Sequence, residues 1–194
     1  MPVVMRIPRA LSFALVAAAC GPDQDVRTPV VQVAVDGIVV SHVPDPLQPA
    51  SDVSLAALLD WQAPIAGRLT SPFGPRALDD SFHDAVDVAA PIGTPVTAPA
   101  DLRIRTIAYQ ARAGRHVVAD VLNEEGVVQW RLTFAHLSQV AVFEGDRIKR
   151  GQTIGLIGLS GSASGAHLHF RVEAVQDGAR IAIDPLTVIP SLGI

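Results

Sequence analysis

From about Trp61 onward the hydrophobic and polar positions alternate in short runs separated by glycine and proline, the period of strands rather than helices. Leu102-Arg103-Ile104-Arg105-Thr106-Ile107 sends apolar and polar side chains to opposite faces, as a half-buried strand requires. His116 to Leu122 and Val127 to Ala135 are two more such runs, and Asn123-Glu124-Glu125-Gly126 between them predicts a hairpin loop. In the run that starts at His167, the residues Leu168, Phe170 and Val172 share one face while His167, His169, Arg171 and Glu173 share the other. No segment after Trp61 carries the periodicity of a long amphipathic helix. The predicted fold class is therefore mainly β, an antiparallel sheet or sandwich around one core.

Residues 1–60 are patterned differently. Arg6 and Arg9 precede an apolar run from Ala10 to Ala19, too short to span a bilayer and suited to the hydrophobic part of a secretion signal. Ala17-Ala18-Ala19 supply the small residues that a signal peptidase requires, and the only cysteine of the chain, Cys20, follows directly. This arrangement resembles the bacterial lipobox, in which the cysteine becomes the lipidated N-terminus, although Ala17 stands where Leu is usual. Ordinary signal cleavage nearby is the alternative. One cysteine also excludes a disulfide within the mature chain. From Gly21 to about Leu59, Pro22, Pro29, Pro44, Pro46 and Pro49 interrupt regular structure, so the segment reads as a tether. Within it Val30 to Val35 is a candidate strand, Ser54 to Trp61 a candidate short helix, and His42 an exposed linker residue. The expected organisation is a signal peptide over 1–19, a lipid-attachment cysteine and Pro-rich linker over 20–60, and the functional domain over 61–194. Such a protein is exported to the cell envelope and held at a membrane by its lipid.

Composition narrows the partners. The formal net charge is −4 over 194 residues, and the basic residues cluster no more densely than in Arg147-Ile148-Lys149-Arg150, which argues against nucleic acid. Histidine is more informative. Four of the six histidines fall in three motifs, His83-Asp84-Ala85-Val86-Asp87, Phe134-Ala135-His136-Leu137 and His167-Leu168-His169-Phe170. Together they offer enough nitrogen and carboxylate donors for a zinc site with imidazoles left over for proton transfer, the equipment of a metallohydrolase. His167 and His169 project from one strand face with Cα atoms roughly 6.6 Å apart. One can bind a metal while the other addresses its water, and the spacing does not say which. His136 ends a run in which Val128, Trp130, Leu132 and Phe134 share its face, so it emerges at the rim of an apolar wall, where a structural histidine would look the same. His83 and Asp87 are four apart, but Val86, Val88, Pro91 and Pro95 argue against a helix. In an extended chain they would stand roughly 13 Å apart, too far to share one ion, so a bend must lie between them. Ala85, between the two, leaves room for the ion.

These motifs resemble those of the lysostaphin-type (LytM-domain) zinc endopeptidases that cut peptidoglycan, which read His-x-Gly-x-Asp, Tyr-Ala-His-Leu and His-x-His-Phe in the same order. Leu69 to Gly74, Ala89 to Val96 and Gly145 to Gly155 match the phrases around them, and the similarity runs from about Trp61 to Pro185. The resemblance implies a LytM (duplicated hybrid motif) fold with one Zn2+ held by His83, Asp87 and His169. It further implies an open zinc position for the attacking water, with His136 and His167 at the reaction centre moving protons or stabilising the oxyanion. Two departures carry expectations. Ala85 replaces the family glycine, and a positive φ there would introduce roughly 1–2 kcal/mol of strain and weaken the zinc site. The loop from Ala77 to Phe82 is shorter than in many relatives, which bears on substrate choice. His116 falls where relatives have a strand residue facing away from zinc. The alternative reading is a catalytically silent LytM-type domain that binds cell wall or regulates an amidase. A phosphotransferase carrier domain fits less well, since it has no use for His83 and Asp87.

Overall fold

A computed structural model describes residues 11–13, 33–35, 38–40, 59–76, 81–176 and 178–193. The chain divides into two compact units, Met1–Ser51 and Asp52–Ile194. In the first, strands β1 (Leu11–Phe13), β2 (Val33–Val35) and β3 (Ile38–Val40) form a three-stranded antiparallel sheet. β2 is the C-terminal half of the strand expected at Val30 to Val35, and β1 lies inside the apolar run assigned to the leader. Cys20, His42 and most of the helix expected from Ser54 fall outside the described residues.

The second unit is built on a ten-stranded antiparallel sheet, as the alternating pattern requires. Its strands, in chain order, are β4 (Arg68–Ser71), β7 (Val86–Ala89), β8 (Pro95–Thr97), β9 (Leu102–Gln110), β10 (Gly114–Leu122), β11 (Val128–Val140), β12 (Arg147–Ile148), β13 (Thr153–Ile157), β14 (His167–Gln176) and β15 (Ala179–Ile183). The hydrogen-bonded order is β12-β9-β10-β11-β14-β7-β4, with β13 joining β11 to β8 and β15 pairing with β14. A short pair, β5 (Gly74–Pro75) and β6 (Phe82–His83), stands apart from it. The only described helix of this unit with four or more residues is α1 (Pro185–Val188), started by Asp184, whose carboxylate accepts the Leu186 N–H at 3.0 Å.

The expected hairpin is present. β10 and β11 are antiparallel, and Asn123 closes the loop by accepting the Val127 N–H on its side-chain oxygen at 2.8 Å. Apolar faces of the central strands meet in the core, where Trp130, Leu132 and Phe134 of β11 and Leu168, Phe170 and Val172 of β14 are all buried. Phe134 and Phe170 are direct cross-strand partners with ring centroids 5.2 Å apart. Each such buried ring contributes about 1.5–3 kcal/mol through removal from water. The opposite face of β14 carries His167, His169, Arg171 and Glu173, as its alternation predicts.

Candidate metal centre

β14 lies between β11 and β7, and this placement assembles the site. In the β14–β7 register His169 stands directly opposite Asp87, while His167 stands opposite Ala89. Directly opposed residues bring their side chains within contact range, so the register itself makes His169 and Asp87 a pair. Their side chains meet with His169 Nδ1 2.9 Å from Asp87 Oδ1. His83 arrives from β6 across the bend that the sequence required, for the chain turns at Asp84 and Ala85 before β7 begins. His83 Nε2 lies 3.4 Å from Asp87 Oδ1 and 3.4 Å from His169 Nδ1.

Donor atoms of His83, Asp87 and His169 all lie within 4.8 Å of one another. Two imidazole nitrogens and a carboxylate oxygen converging this closely are a ligand set that suits zinc, with three protein donors and room for a further ligand. The remote nitrogen of His83 is already committed, since Nδ1 donates to the Pro72 carbonyl at 2.9 Å with Ser71 Oγ beside it at 3.1 Å. That bond directs the lone pair of Nε2 at the cluster, the usual arrangement for a metal-binding histidine. Burial alone would raise the Asp87 pKa, but the His169 hydrogen bond and the positive fields of His83, His169 and His167 outweigh it and hold the carboxyl below its ordinary value. Asp87 is thus an anion, as a ligand must be.

Ala85 is fully buried, and its φ is not positive; among the described residues only Asp60 and His136 combine a side chain with positive φ. The strain expected at Ala85 is therefore absent. The backbone makes its bend without left-handed geometry, so a methyl group costs nothing conformationally.

His136 corrects a second expectation. It does not share the face of Trp130, Leu132 and Phe134. β10 and β11 are in register at Val117↔Phe134 and again at Arg115↔Leu137, so Ala135 and His136 together face the single residue His116. This β-bulge inverts the alternation: Leu137 returns to the core and His136 turns to the side occupied by the other histidines. Its ring centroid is 4.6 Å from that of His167 and 5.8 Å from that of His169. The bulged residue has φ 62°, a left-handed conformation that is costly for a residue with a side chain. Two bonds hold it there, the His136 N–H to the Ala113 carbonyl at 3.0 Å and Nδ1–H to the Ser160 carbonyl at 2.8 Å. Burial lowers the His136 pKa below its ordinary value by more than the Ser160 bond raises it. The ring is therefore neutral at pH 7, with the free lone pair on Nε2. His167 is oriented in the same way, since its Nδ1–H donates to the Gly165 carbonyl at 2.7 Å and Nε2 lies 3.6 Å from Asp87 Oδ1.

All five residues open into one cleft of about 460 Å³. His116 is buried on β10 and does not line it; its Nδ1 donates to the Gly114 carbonyl at 3.0 Å, so its role is structural. Sequence reasoning did not single out the groups that aim the histidines. Ser160 both presents its carbonyl to His136 and ties its hydroxyl to Leu137 O and Arg115 N. Gly114, at φ +62°, passes so close that a Cβ there would lie 2.4 Å from Ser160. The density of small residues from Gly158 to Gly165 was the one signal available for this support.

The profile described as Peptidase family M23 matches residues 81–185, more than half of the chain. The chain belongs to peptidase family M23. Among M23-like relatives, the peptidoglycan DD-endopeptidase ShyA of Vibrio cholerae is 34% identical over 110 residues, which is 54% of this chain and 24% of that protein. A zinc-containing peptidase from Vibrio cholerae superposes with a TM-score of 0.54 at 27% identity, over 62% of this chain and 38% of the other. The catalytic domain of the antimicrobial peptidase lysostaphin from Staphylococcus simulans gives a TM-score of 0.52 at 26% identity, over 68% of this chain and 94% of the other. The mainly antiparallel β fold of this M23 protein is thus that of the lysostaphin catalytic domain. The region it shares with curated relatives spans 20–32% of their length.

Proposed function

We propose that residues 61–194 form a zinc endopeptidase that hydrolyses peptide bonds of peptidoglycan, in stem peptides or cross-bridges. In this reading His83, Asp87 and His169 hold one Zn2+, and His136 and His167 serve the reaction. The observation that carries it is the convergence of three donors within 4.8 Å in a cleft that also presents two further imidazoles. A silent binding domain has no use for that surplus. The names of relatives that cut peptidoglycan supply the substrate class.

Zinc bound there supplies a Lewis acid that polarises the peptide carbonyl and brings the pKa of water toward neutrality. The chain's own groups do the rest. His136 has its Nδ1–H tied to Ser160 and its ring kept neutral by burial, so Nε2 can accept a proton at pH 7. His167, with Nδ1–H tied to Gly165, likewise turns Nε2 toward the cluster. One imidazole that takes a proton on Nε2, and a second that in its protonated form donates from Nε2 to the developing oxyanion or the leaving amine, are what amide hydrolysis needs. Purified protein is expected to carry close to one zinc per chain and to release peptide fragments from cell walls, with both lost on chelation and restored by zinc. Zinc-loaded protein that releases nothing would leave the silent, amidase-regulating reading in its place.

The same proposal extends to the N-terminus. Residues 1–19 direct export, Cys20 carries the lipid, and the Pro-rich segment to residue 60 spaces the enzyme from the membrane. The support is the position of the sole cysteine after a charged and then apolar leader ending in small residues. Multiple acyl chains, each contributing about 0.8 kcal/mol per buried CH₂, suffice for stable anchoring. Among the described residues no helix is long and apolar enough to cross a membrane. Cys20→Ser is expected to free the protein from the membrane fraction or leave it unprocessed; a wild-type protein that fractionates as soluble with Cys20 removed or unmodified contradicts the anchor.

A further inference from the structure

Two arginines that the zinc chemistry does not employ, Arg76 and Arg112, line the cleft. Arg76 is already directed at the metal centre, with Nη2 3.8 Å from Asp87 Oδ2. Arg112 makes no ion pair and no side-chain hydrogen bond among the described residues. The two described acids that line the cleft are already paired, Asp84 with Arg171 Nη2 at 3.1 Å and Asp87 with the surrounding imidazoles. Among the described residues Arg112 is thus a positive charge without an acidic partner at a concave surface, where its field is focused rather than dispersed.

Its backbone is firmly placed. Arg112 sits in the turn between β9 and β10, whose carbonyls are pinned from two directions. Ser162 N–H donates to Arg112 O at 3.0 Å and Ser162 Oγ to Ala111 O at 3.3 Å, while the next residue, Ala113, accepts the His136 N–H. The turn that carries Arg112 is therefore the turn that holds a reaction-centre histidine in its strained conformation.

We propose that Arg112 is a specificity-determining residue that binds a carboxylate of the substrate on the His136 side of the cleft, selecting acidic peptides over the same peptides with that group amidated. This rests on the peptidase reading of the site. A guanidinium presents parallel N–H donors to both oxygens of a carboxylate, whereas a carboxamide offers one acceptor and sets its own NH₂ against a donor. A charge-assisted bidentate contact exchanged for one neutral bond changes binding on the order of tenfold.

The test uses two peptides that differ only in a carboxylate or carboxamide beside the scissile bond, presented to the zinc-loaded full-length protein. Wild type is expected to favour the carboxylate peptide on the order of tenfold in kcat/KM, chiefly through KM, with the ratio shrinking at high salt. Arg112→Gln should bring the ratio near one, and Arg112→Lys should leave an intermediate preference, because it keeps the charge without the fork. Equal use of the two peptides by wild type, or a preference that survives in Arg112→Gln, overturns the proposal while leaving the peptidase reading intact. Cleavage of neither peptide refutes the peptidase reading instead. The ratio of dissociation constants measured by calorimetry for the two peptides, in wild type and Arg112→Gln, then decides the role of Arg112 independently of turnover.

Discussion

His169→Ala is expected to lose bound zinc and hydrolysis together. The three converging donors contact one another, and His169 Nδ1 makes the shortest of these contacts, 2.9 Å from Asp87 Oδ1 and 3.4 Å from His83 Nε2. Removing it leaves one imidazole and one carboxylate. Changing only the partner of a ligand typically costs about 10–100-fold in metal affinity, so deleting the ligand should cost more than that. The fold should survive, because the neighbours Leu168 and Phe170 keep the core side of β14 while His169 is on the cleft side. Zinc stoichiometry by atomic absorption, peptide release from purified walls and a thermal melt of the zinc-free proteins separate these effects. If His169→Ala stays fully loaded and His167→Ala empties the site instead, the ligand assignment is reversed.

His136→Ala and His167→Ala should behave in the opposite way, keeping zinc while turnover falls by about 10²-fold or more. The loss belongs in kcat, since in the proposed mechanism each imidazole acts on protons or charge that develop during reaction rather than on the resting substrate. His136 needs a control, because alanine in a left-handed conformation adds strain of its own. Asparagine tolerates that conformation, so His136→Asn should preserve the bulge and still lose turnover. Near wild-type hydrolysis by either the His136 or the His167 variants would make the affected imidazole structural and favour the regulatory reading.

Much of this was legible in residues 61–194 because strand alternation is local. The runs at Leu102, His116, Val127 and His167 each declare their faces without reference to anything distant, and the hairpin at Asn123 to Gly126 follows from its own turn residues. The bend between His83 and Asp87 was legible for the same reason, since an extended chain cannot bring the two together. Alternation failed at His136, where one extra residue on β11 reversed the parity. A bulge is a property of two paired strands, and the run Val128 to Phe134 contains no residue that announces it. Ala85 misled in a related way. A glycine-to-alanine change suggests strain only if the backbone there is left-handed, and a φ angle is set by the surrounding fold.

The sequence by itself determined the class of fold, the donor types and their order, for these depend on side-chain chemistry and on periods of two residues. It left His167 and His169 equivalent, because residues two apart on a strand share a face. The family resemblance named His169 as the ligand, and only the tertiary structure supplied the physical reason. The antiparallel register between β14 and β7 sets His169 across from Asp87 and His167 across from Ala89, and register is fixed by pairing between segments about eighty residues apart, whose relative alignment neither segment encodes alone.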